Sequence, residues 1–188
     1  MADEDEVIAQ PVRRARSRAA LDQRSSRRPP HRWWIILITV AIVVSVDQIS
    51  KWRALESLTE GDAVDLFWTL RFNLMFNTGM AFSKGSNSGP IIAVVALAIV
   101  LVLLFIARRI ESKVQLVLIG VVVGGALGNL LDRLFRAESG FLTGGVVDFI
   151  DPQFWPVFNV ADACVVVGGI LLAITGLRQP EPDEPEER

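Results

Sequence analysis

Two residue types that carry much of enzyme chemistry are almost absent from this chain. Its 188 residues include one histidine, His31, and one cysteine, Cys164. Ser-His and Cys-His catalysis both need a histidine beside the nucleophile, and His31 lies in a basic polar segment near the amino end. A structural zinc site needs several His or Cys ligands. These classes of site are therefore excluded, and one cysteine cannot form an internal disulfide.

Charge is scarce in the middle of the chain and concentrated at its ends. Residues 13–32 hold eight arginines and residues 181–187 hold five acidic residues, although the net charge is only -2. Both ends have few large apolar residues, so we expect residues 1–32 and 179–188 to be disordered tails. The basic tail has no interleaved aromatics, which favours a topogenic, lipid-facing segment over nucleic-acid binding.

The rest of the chain is strongly apolar. Hydrophobic residues make up 51% of the sequence and the mean hydropathy is +0.40, which predicts a membrane protein. Four apolar runs approach the roughly 20 residues that cross a bilayer. They are Trp33–Val46, Ile91–Ala107, Val114–Leu131 and Val160–Leu177. We therefore predict an all-α polytopic membrane domain over residues 33–178 with four transmembrane helices.

The first run also resembles a cleavable signal peptide, because it is short and follows a basic segment. No small-x-small site follows Val46, and helical character continues to Lys51, which favours a retained helix. Four spans place both termini on one side. The positive-inside rule makes that side cytoplasmic, since the basic tail, residues 108–113 and Arg178 then lie together.

The outward loop that follows the first helix contains a strand-like pattern. Apolar residues occupy every second position from Leu66 to Phe76, and four of the positions that alternate with them are polar: Thr69, Arg71, Asn73 and Asn77. A period of two is typical of a strand with one polar face. We predict a small extracytoplasmic β element on the membrane surface.

The third run carries glycine at every fourth position. Gly120, Gly124 and Gly128 lie on one face of a helix and predict that a neighbouring helix approaches closely there.

Unusual polar residues collect at the outward ends of the predicted helices. They are Asp47, Asn77, Asn129, Asp132, Arg133, Asp148, Asn159 and Asp162, of which Asp148 is predicted to lie in the outward loop between the third and fourth helices. A transporter needs polar groups through the depth of the bilayer, whereas this pattern indicates a site at one interface.

Two of these aspartates have no obvious cation. Asp47 is four residues from Lys51 and Asp132 is next to Arg133, which leaves Asp148 and Asp162. If the two converge, repulsion and poor solvation would keep one protonated and the other ionised. Such a pair can activate water and protonate a leaving amine. The alternative is that both are helix-end residues, with Asp162 as a cap.

Five ordered motifs resemble those of bacterial lipoprotein signal peptidase (signal peptidase II). They are DQISK from Asp47, NTGMAF from Asn77, GGALGNLLDR ending at Arg133, VVDF with Asp148 and FNVAD with Asp162. The resemblance covers Trp33 to about Leu177.

The resemblance implies a membrane-embedded aspartic endopeptidase of the bacterial inner membrane with its site near the extracytoplasmic face. It would cleave prolipoproteins on the amino side of a diacylglyceryl-modified cysteine, with Asp148 and Asp162 as the catalytic dyad. Substrate-binding or supporting residues would be Asn77, Asn129, Arg133, Asn159, Asp47, Lys51 and Asp132. The implied partners are lipidated prolipoproteins, the phospholipid bilayer and, as inhibitor, a globomycin-type peptide antibiotic. No cofactor, metal or nucleic acid is implied.

Other interpretations stay open at this point. A Ser-Lys peptidase could use Ser83 with Lys84 or Ser50 with Lys51, and a transporter or assembly factor would use the helices without catalysis. Asp151, close after Asp148, is interpreted as a loop residue.

Overall fold

The computed structural model describes residues 32–79, 88–137 and 140–177. The predicted tails, apart from Arg32, lie outside the described residues, as do Ser83 and Lys84.

Each predicted apolar run forms a helix. The helices are α1 (Trp33–Ser57), α2 (Gly89–Ala107), α3 (Lys113–Phe135) and α4 (Val160–Leu177). Within the described residues, α1, α2 and α3 are long and apolar enough to cross a membrane, whereas α4 is apolar but shorter. Pro90 lies in the first turn of α2, where its missing N–H costs nothing.

Helix α3 lies at the centre and contacts the other three helices. Its glycines allow the close approach to α1, as predicted, because a Cβ at Gly120 would lie 2.7 Å from Cβ of Thr39 and one at Gly124 would lie 2.8 Å from Cβ of Val43. Apolar side chains such as Ile36 and Ile119 fill the core between α1 and α3. Many other apolar side chains on the helices are exposed on the surface of the protein, as expected for helices that contact lipid.

The segments that connect the helices form a three-stranded antiparallel sheet, with two strands after α1 and one after α3. Its strands are β1 (Ala63–Phe67), β2 (Leu70–Asn77) and β3 (Val146–Asp151), in the order β1-β2-β3. The prediction of one strand from Leu66 was wrong in detail, because a turn at residues 68–69 divides it. Trp68 has a φ of 52°, the left-handed conformation that tight hairpins need. The turn was not predicted because it contains neither Gly nor Asn.

Strand β3 corrects a second expectation, since Asp148 was predicted to lie in a loop. The strand pairs with β2, and Met75 lies opposite Asp148. This pairing joins two segments far apart in sequence, so local patterning gave no sign of it.

Asp151 is likewise the last residue of β3 and is buried, not a loop residue. Its Oδ2 accepts hydrogen bonds from Arg71 Nε at 2.7 Å and from Asn73 Nδ2 at 3.1 Å. Burial alone would raise the pKa of Asp151, but these bonds and the Gln153 N–H hold it below its ordinary value. Asp151 therefore links β2 to β3, the strand that also carries Asp148.

Candidate active site

The structure brings the two unpaired aspartates to one asparagine. Asn159 Nδ2 donates to Oδ1 of Asp148 at 2.7 Å, and its backbone N–H donates to Oδ2 of Asp162 at 3.2 Å. Asp162 N–H in turn donates to Oδ1 of Asn159 at 2.9 Å. This reciprocal pair caps the start of α4, so Asp162 is a helix-capping residue as well as a member of the site. The helix cap and the candidate site use the same carboxyl group.

Asparagine groups contact all four oxygens of the two carboxyl groups. Asn77 Nδ2 donates to Oδ2 of Asp148 at 3.1 Å, and Asn129 Nδ2 donates to Oδ1 of Asp162 at 2.8 Å. An amide offers a donor without adding charge. Among the residues that the structure describes, these amides orient the two carboxyl groups and no salt bridge reaches either one.

Asp148 is 2% exposed. Its burial and the nearby charge of Asp162 raise the pKa of Asp148 from 3.8 to about 7, although hydrogen bonds from Asn77 and Asn159 oppose the rise. A carboxyl group with such a pKa can hold or release a proton near neutral pH, which suits general acid–base catalysis.

Lys51 pairs with Asp47 as predicted, at 2.8 Å between Nζ and Oδ2. The predicted association of Asp132 with Arg133 was wrong. Asp132 instead pairs with Lys51 at 2.9 Å and with Arg136 Nε at 3.1 Å. Successive helical residues point in directions about 100° apart, so neighbours in sequence do not face each other, whereas Arg136 is one turn along the helix.

The guanidinium of Arg133 is left with a free donor. Its Nη1 is buried and has no hydrogen-bond partner among the residues that the structure describes. A Cβ at Gly89 would lie 2.9 Å from this nitrogen, so the glycine makes room for it. A buried donor without a partner in the protein is suited to a substrate acceptor.

A cavity of about 530 Å³ opens beside the dyad. Asn77, Asn129, Arg133 and Asp162 line its polar end. The remaining wall is mainly apolar and comes from α2, α3, α4 and the segment before Asn159, including Ile92, Ala96, Ala126, Trp155 and Val165. Such a cavity can hold an apolar helical or acyl segment with its polar bond at the carboxyl groups.

Several supporting residues were not predicted. Gln48 Nε2 lies 3.1 Å from Oδ2 of Asp47, 3.2 Å from the carbonyl of Gly128 and 3.3 Å from Oδ1 of Asp132. Gly89 and Trp155 were also missed. A glutamine or tryptophan at a helix or loop position has no periodic signature, so only the DQISK motif pointed towards Gln48.

The structure argues against one serine–lysine pair. Ser50 Oγ donates to the backbone carbonyl of Asp47 at 2.8 Å, while Lys51 Nζ binds carboxylates. Ser50 therefore has no lysine base. Among the described residues, no group of three or more His, Cys, Asp or Glu side chains is arranged to hold a metal ion.

Known proteins resemble this chain over most of its length. The model of a family described as signal peptidase (SPase) II matches residues 39–178. The lipoprotein signal peptidase of Mycobacterium leprae is 36% identical over 159 residues, which cover 84% of this chain and 79% of that protein. The lipoprotein signal peptidase of Streptomyces coelicolor is 39% identical over 151 residues, which cover 79% and 73%.

Two solved structures of bacterial membrane enzymes share the fold. One superposes with a TM-score of 0.67 at 27% identity, covering 81% of this chain and 93% of that chain. The other has a TM-score of 0.64 at 28% identity, with coverage of 77% and 94%. Together with the apolar helices, this similarity indicates a multi-pass membrane protein.

Proposed function

Because this chain belongs to the signal peptidase II family, a family of membrane proteases, we propose that it removes signal peptides from bacterial prolipoproteins. It acts as an aspartic endopeptidase and cleaves on the amino side of the diacylglyceryl-modified cysteine. The observation that carries the proposal is the pair of buried carboxyl groups, Asp148 and Asp162, that Asn159 bridges, with Asp162 lining an otherwise mainly apolar cavity.

In the proposed reaction the dyad holds one proton, which belongs to the pair and not to either residue. The ionised carboxylate takes a proton from water as the water oxygen bonds to the scissile carbonyl carbon. The protonated carboxyl donates a hydrogen bond to the carbonyl oxygen. When the C–N bond breaks, a proton from the pair passes to the leaving amine, and no cofactor takes part.

The polar residues around the dyad bind and orient the substrate in this proposal. Arg133 donates from its free Nη1 to a substrate carbonyl oxygen next to the scissile bond. Asn77 and Asn129 hold the two carboxyl groups in place. The apolar wall of the cavity takes the signal-peptide helix and the acyl chains of the lipidated cysteine.

The proposed membrane placement follows from charge. All four helices cross the bacterial inner membrane, both termini are cytoplasmic, and the dyad lies near the extracytoplasmic face. The position of the site supports this, since Asp162 is in the first turn of α4 and Arg133 is in the last turn of α3. A prolipoprotein would present its lipidated cysteine at that depth. A globomycin-type peptide antibiotic would occupy the same cavity as an inhibitor.

The direct test is cleavage of a purified, lipidated prolipoprotein by the purified protein in detergent or proteoliposomes. We expect Asp148→Asn and Asp162→Asn each to lower kcat by about 10²- to 10⁴-fold, the usual contribution of general acid–base catalysis. Asp65→Asn is a matched control, because Asp65 lies exposed on β1.

Near-wild-type turnover in either dyad variant would reject the assignment. Loss of activity in Ser83→Ala while both aspartate variants stay active would favour the serine peptidase instead. A wild-type protein that leaves the lipidated substrate uncut would reject the proposed function.

A further inference from the structure

Lys51 is fully buried, and all of its hydrogen-bonding capacity is used inside the protein. Its Nζ lies 2.8 Å from Oδ2 of Asp47, 2.9 Å from Oδ2 of Asp132 and 3.0 Å from Oδ1 of Asn129. An ammonium group has three protons, and three acceptors surround this one. Each of the three partners leads to the dyad by a different route.

Two of the routes run through the backbone. Asp47 Oδ1 accepts the N–H of Ala161 at 3.0 Å, and Asp132 Oδ2 accepts the N–H of Val147 at 3.2 Å. Ala161 and Val147 are the residues immediately before the two dyad aspartates. The carboxylates that Lys51 joins therefore hold the start of α4 and the beginning of β3, the two elements that carry the dyad.

The third route runs through side chains. Asn129 accepts from Lys51 at Oδ1 and donates from Nδ2 to Oδ1 of Asp162 at 2.8 Å. Asn159 Nδ2 also lies 3.0 Å from Oδ1 of Asn129, which couples this route to the bridging asparagine. The charge of Lys51 fixes which way the Asn129 amide faces, because only its oxygen can accept from an ammonium.

None of the cavity-lining residues comes from α1, the helix that carries Lys51 and Asp47. These two side chains do not line the cavity, so they can affect the site only through the residues that they contact. Burying an ion pair is weak evidence for stability, because well-packed apolar side chains in its place are often as stable. The arrangement calls for another reason.

We propose that Lys51, Asp47 and Asp132 form a positioning junction, which sets the separation of the two dyad carboxyl groups by holding β3 and α4 through the backbone N–H groups of Val147 and Ala161. The junction rests on the proposed peptidase function but acts without touching substrate. Lys51, Asp47 and Asp132 are positioning residues in this sense.

The test compares two substitutions of one residue. Asp47→Asn keeps an oxygen that can accept the Ala161 N–H, whereas Asp47→Leu has a similar shape and no acceptor. In both variants Asp132 still neutralises the charge of Lys51. A Lys51→Met change would be a poorer test, because it would leave the buried carboxylate of Asp47 without its cation. We expect Asp47→Leu to lower kcat by about 100-fold, the cost of a misplacement near 1 Å, with KM within about threefold of wild type. Asp47→Asn should recover most of kcat.

Val43→Ala is the control for lost packing, since Val43 packs against Gly124 in the same α1–α3 interface and its side chain is not one of the three that form the junction. It should lower the thermal midpoint and leave kcat of the folded protein unchanged. Equal kcat values for Asp47→Asn and Asp47→Leu would overturn the proposal. So would a loss of kcat in Val43→Ala as large as that in Asp47→Leu, because lost packing alone would then account for the effect.

A second readout does not depend on cleavage and so separates the junction from the proposed function. Cys164→Ala removes the native thiol, and Asp148→Cys with Asp162→Cys places two thiols at the dyad. The backbone N–H groups of Val147 and Ala161 remain in this background. A short thiol-to-thiol cross-linker should react about tenfold more slowly when Asp47→Leu is added and at an unchanged rate with Asp47→Asn. An unchanged rate with Asp47→Leu would reject the junction even if the wild-type enzyme cleaves its substrate.

Discussion

Asn159 donates its side-chain amide to Asp148 across 2.7 Å, and both side chains are almost completely buried. The bond favours the ionised carboxylate, whereas burial and the neighbouring Asp162 favour the protonated form. The larger effects win, so the pKa of Asp148 is raised to about 7, but the asparagines keep it from rising further. The proton balance of the site therefore depends on uncharged neighbours.

Asn77 should move the pH dependence of cleavage. Its Nδ2 bond to Asp148 lowers the pKa of that carboxyl, so Asn77→Ala should raise it and shift the alkaline limb of the kcat profile to higher pH. The measurement is kcat from about pH 5 to pH 9, the range that brackets the expected pKa. Asn73→Ala is the matched control, because Asn73 lies on the same strand but donates to Asp151. A shift to lower pH in Asn77→Ala would contradict the role assigned to the bond.

Stability should fall as pH rises towards neutrality. The pKa of Asp148 is about 7 in the folded protein against an ordinary 3.8, so the folded state keeps a proton that the unfolded chain releases between these values. The contribution to the free energy of unfolding is therefore intact below about pH 4 and lost as pH rises through about 7. Thermal midpoints in detergent across this window should decline for wild type and decline less for Asp148→Asn. Identical slopes in the two proteins would show that Asp148 is not the group responsible.

The same Gly→Ala change should have opposite effects on two helices. A Cβ at Gly124 would lie 2.8 Å from Cβ of Val43, too close for the helices to keep their spacing, whereas one at Gly169 meets nothing within 4 Å. We expect Gly124→Ala to destabilise the protein by about 1–3 kcal/mol, the usual cost of overpacking. Gly169→Ala should be neutral or slightly stabilising, since alanine favours helix. Thermal midpoints of the two variants test this, and equal losses would mean that the α1–α3 contact is not the cause.

Much of the fold follows from local patterns. The four apolar runs became helices because a long apolar segment satisfies its own backbone groups only as a helix in lipid. The glycine period on α3 correctly predicted a closely packed neighbouring helix, since a stripe of small residues fixes the face on which a neighbour can approach, and the structure shows that this helix is α1. The ion pair of Asp47 with Lys51 also followed from spacing alone, because both lie on one face of α1.

Patterns failed where distant segments meet. The alternation after Leu66 showed β structure but not the turn at Trp68, and nothing local marked residues 146–151 as the third strand. The pairing of Asp132 with Lys51 joins α3 to α1 and could not be read from either segment alone. Its pairing with Arg136, four residues along the chain, could have been read from spacing but was missed. The third strand and the Asp132–Lys51 pair each depend on the position of a second element.

By itself the sequence determined that the chain has apolar helices, that its polar residues gather at one end of them, and that Asp148 and Asp162 have no basic residue within four positions along the chain. Periodicity and composition act over a few residues, so a linear pattern can carry this information. Only the tertiary structure decided that Asn159 joins the two aspartates and that Asp148 lies on a strand. It also decided that a buried lysine on α1 pairs with the two carboxylates that bind the backbone next to Asp148 and Asp162. Hydrogen bonds form over about 3 Å between groups as many as 114 residues apart in sequence, and only the packed helices and sheet bring those groups within that distance.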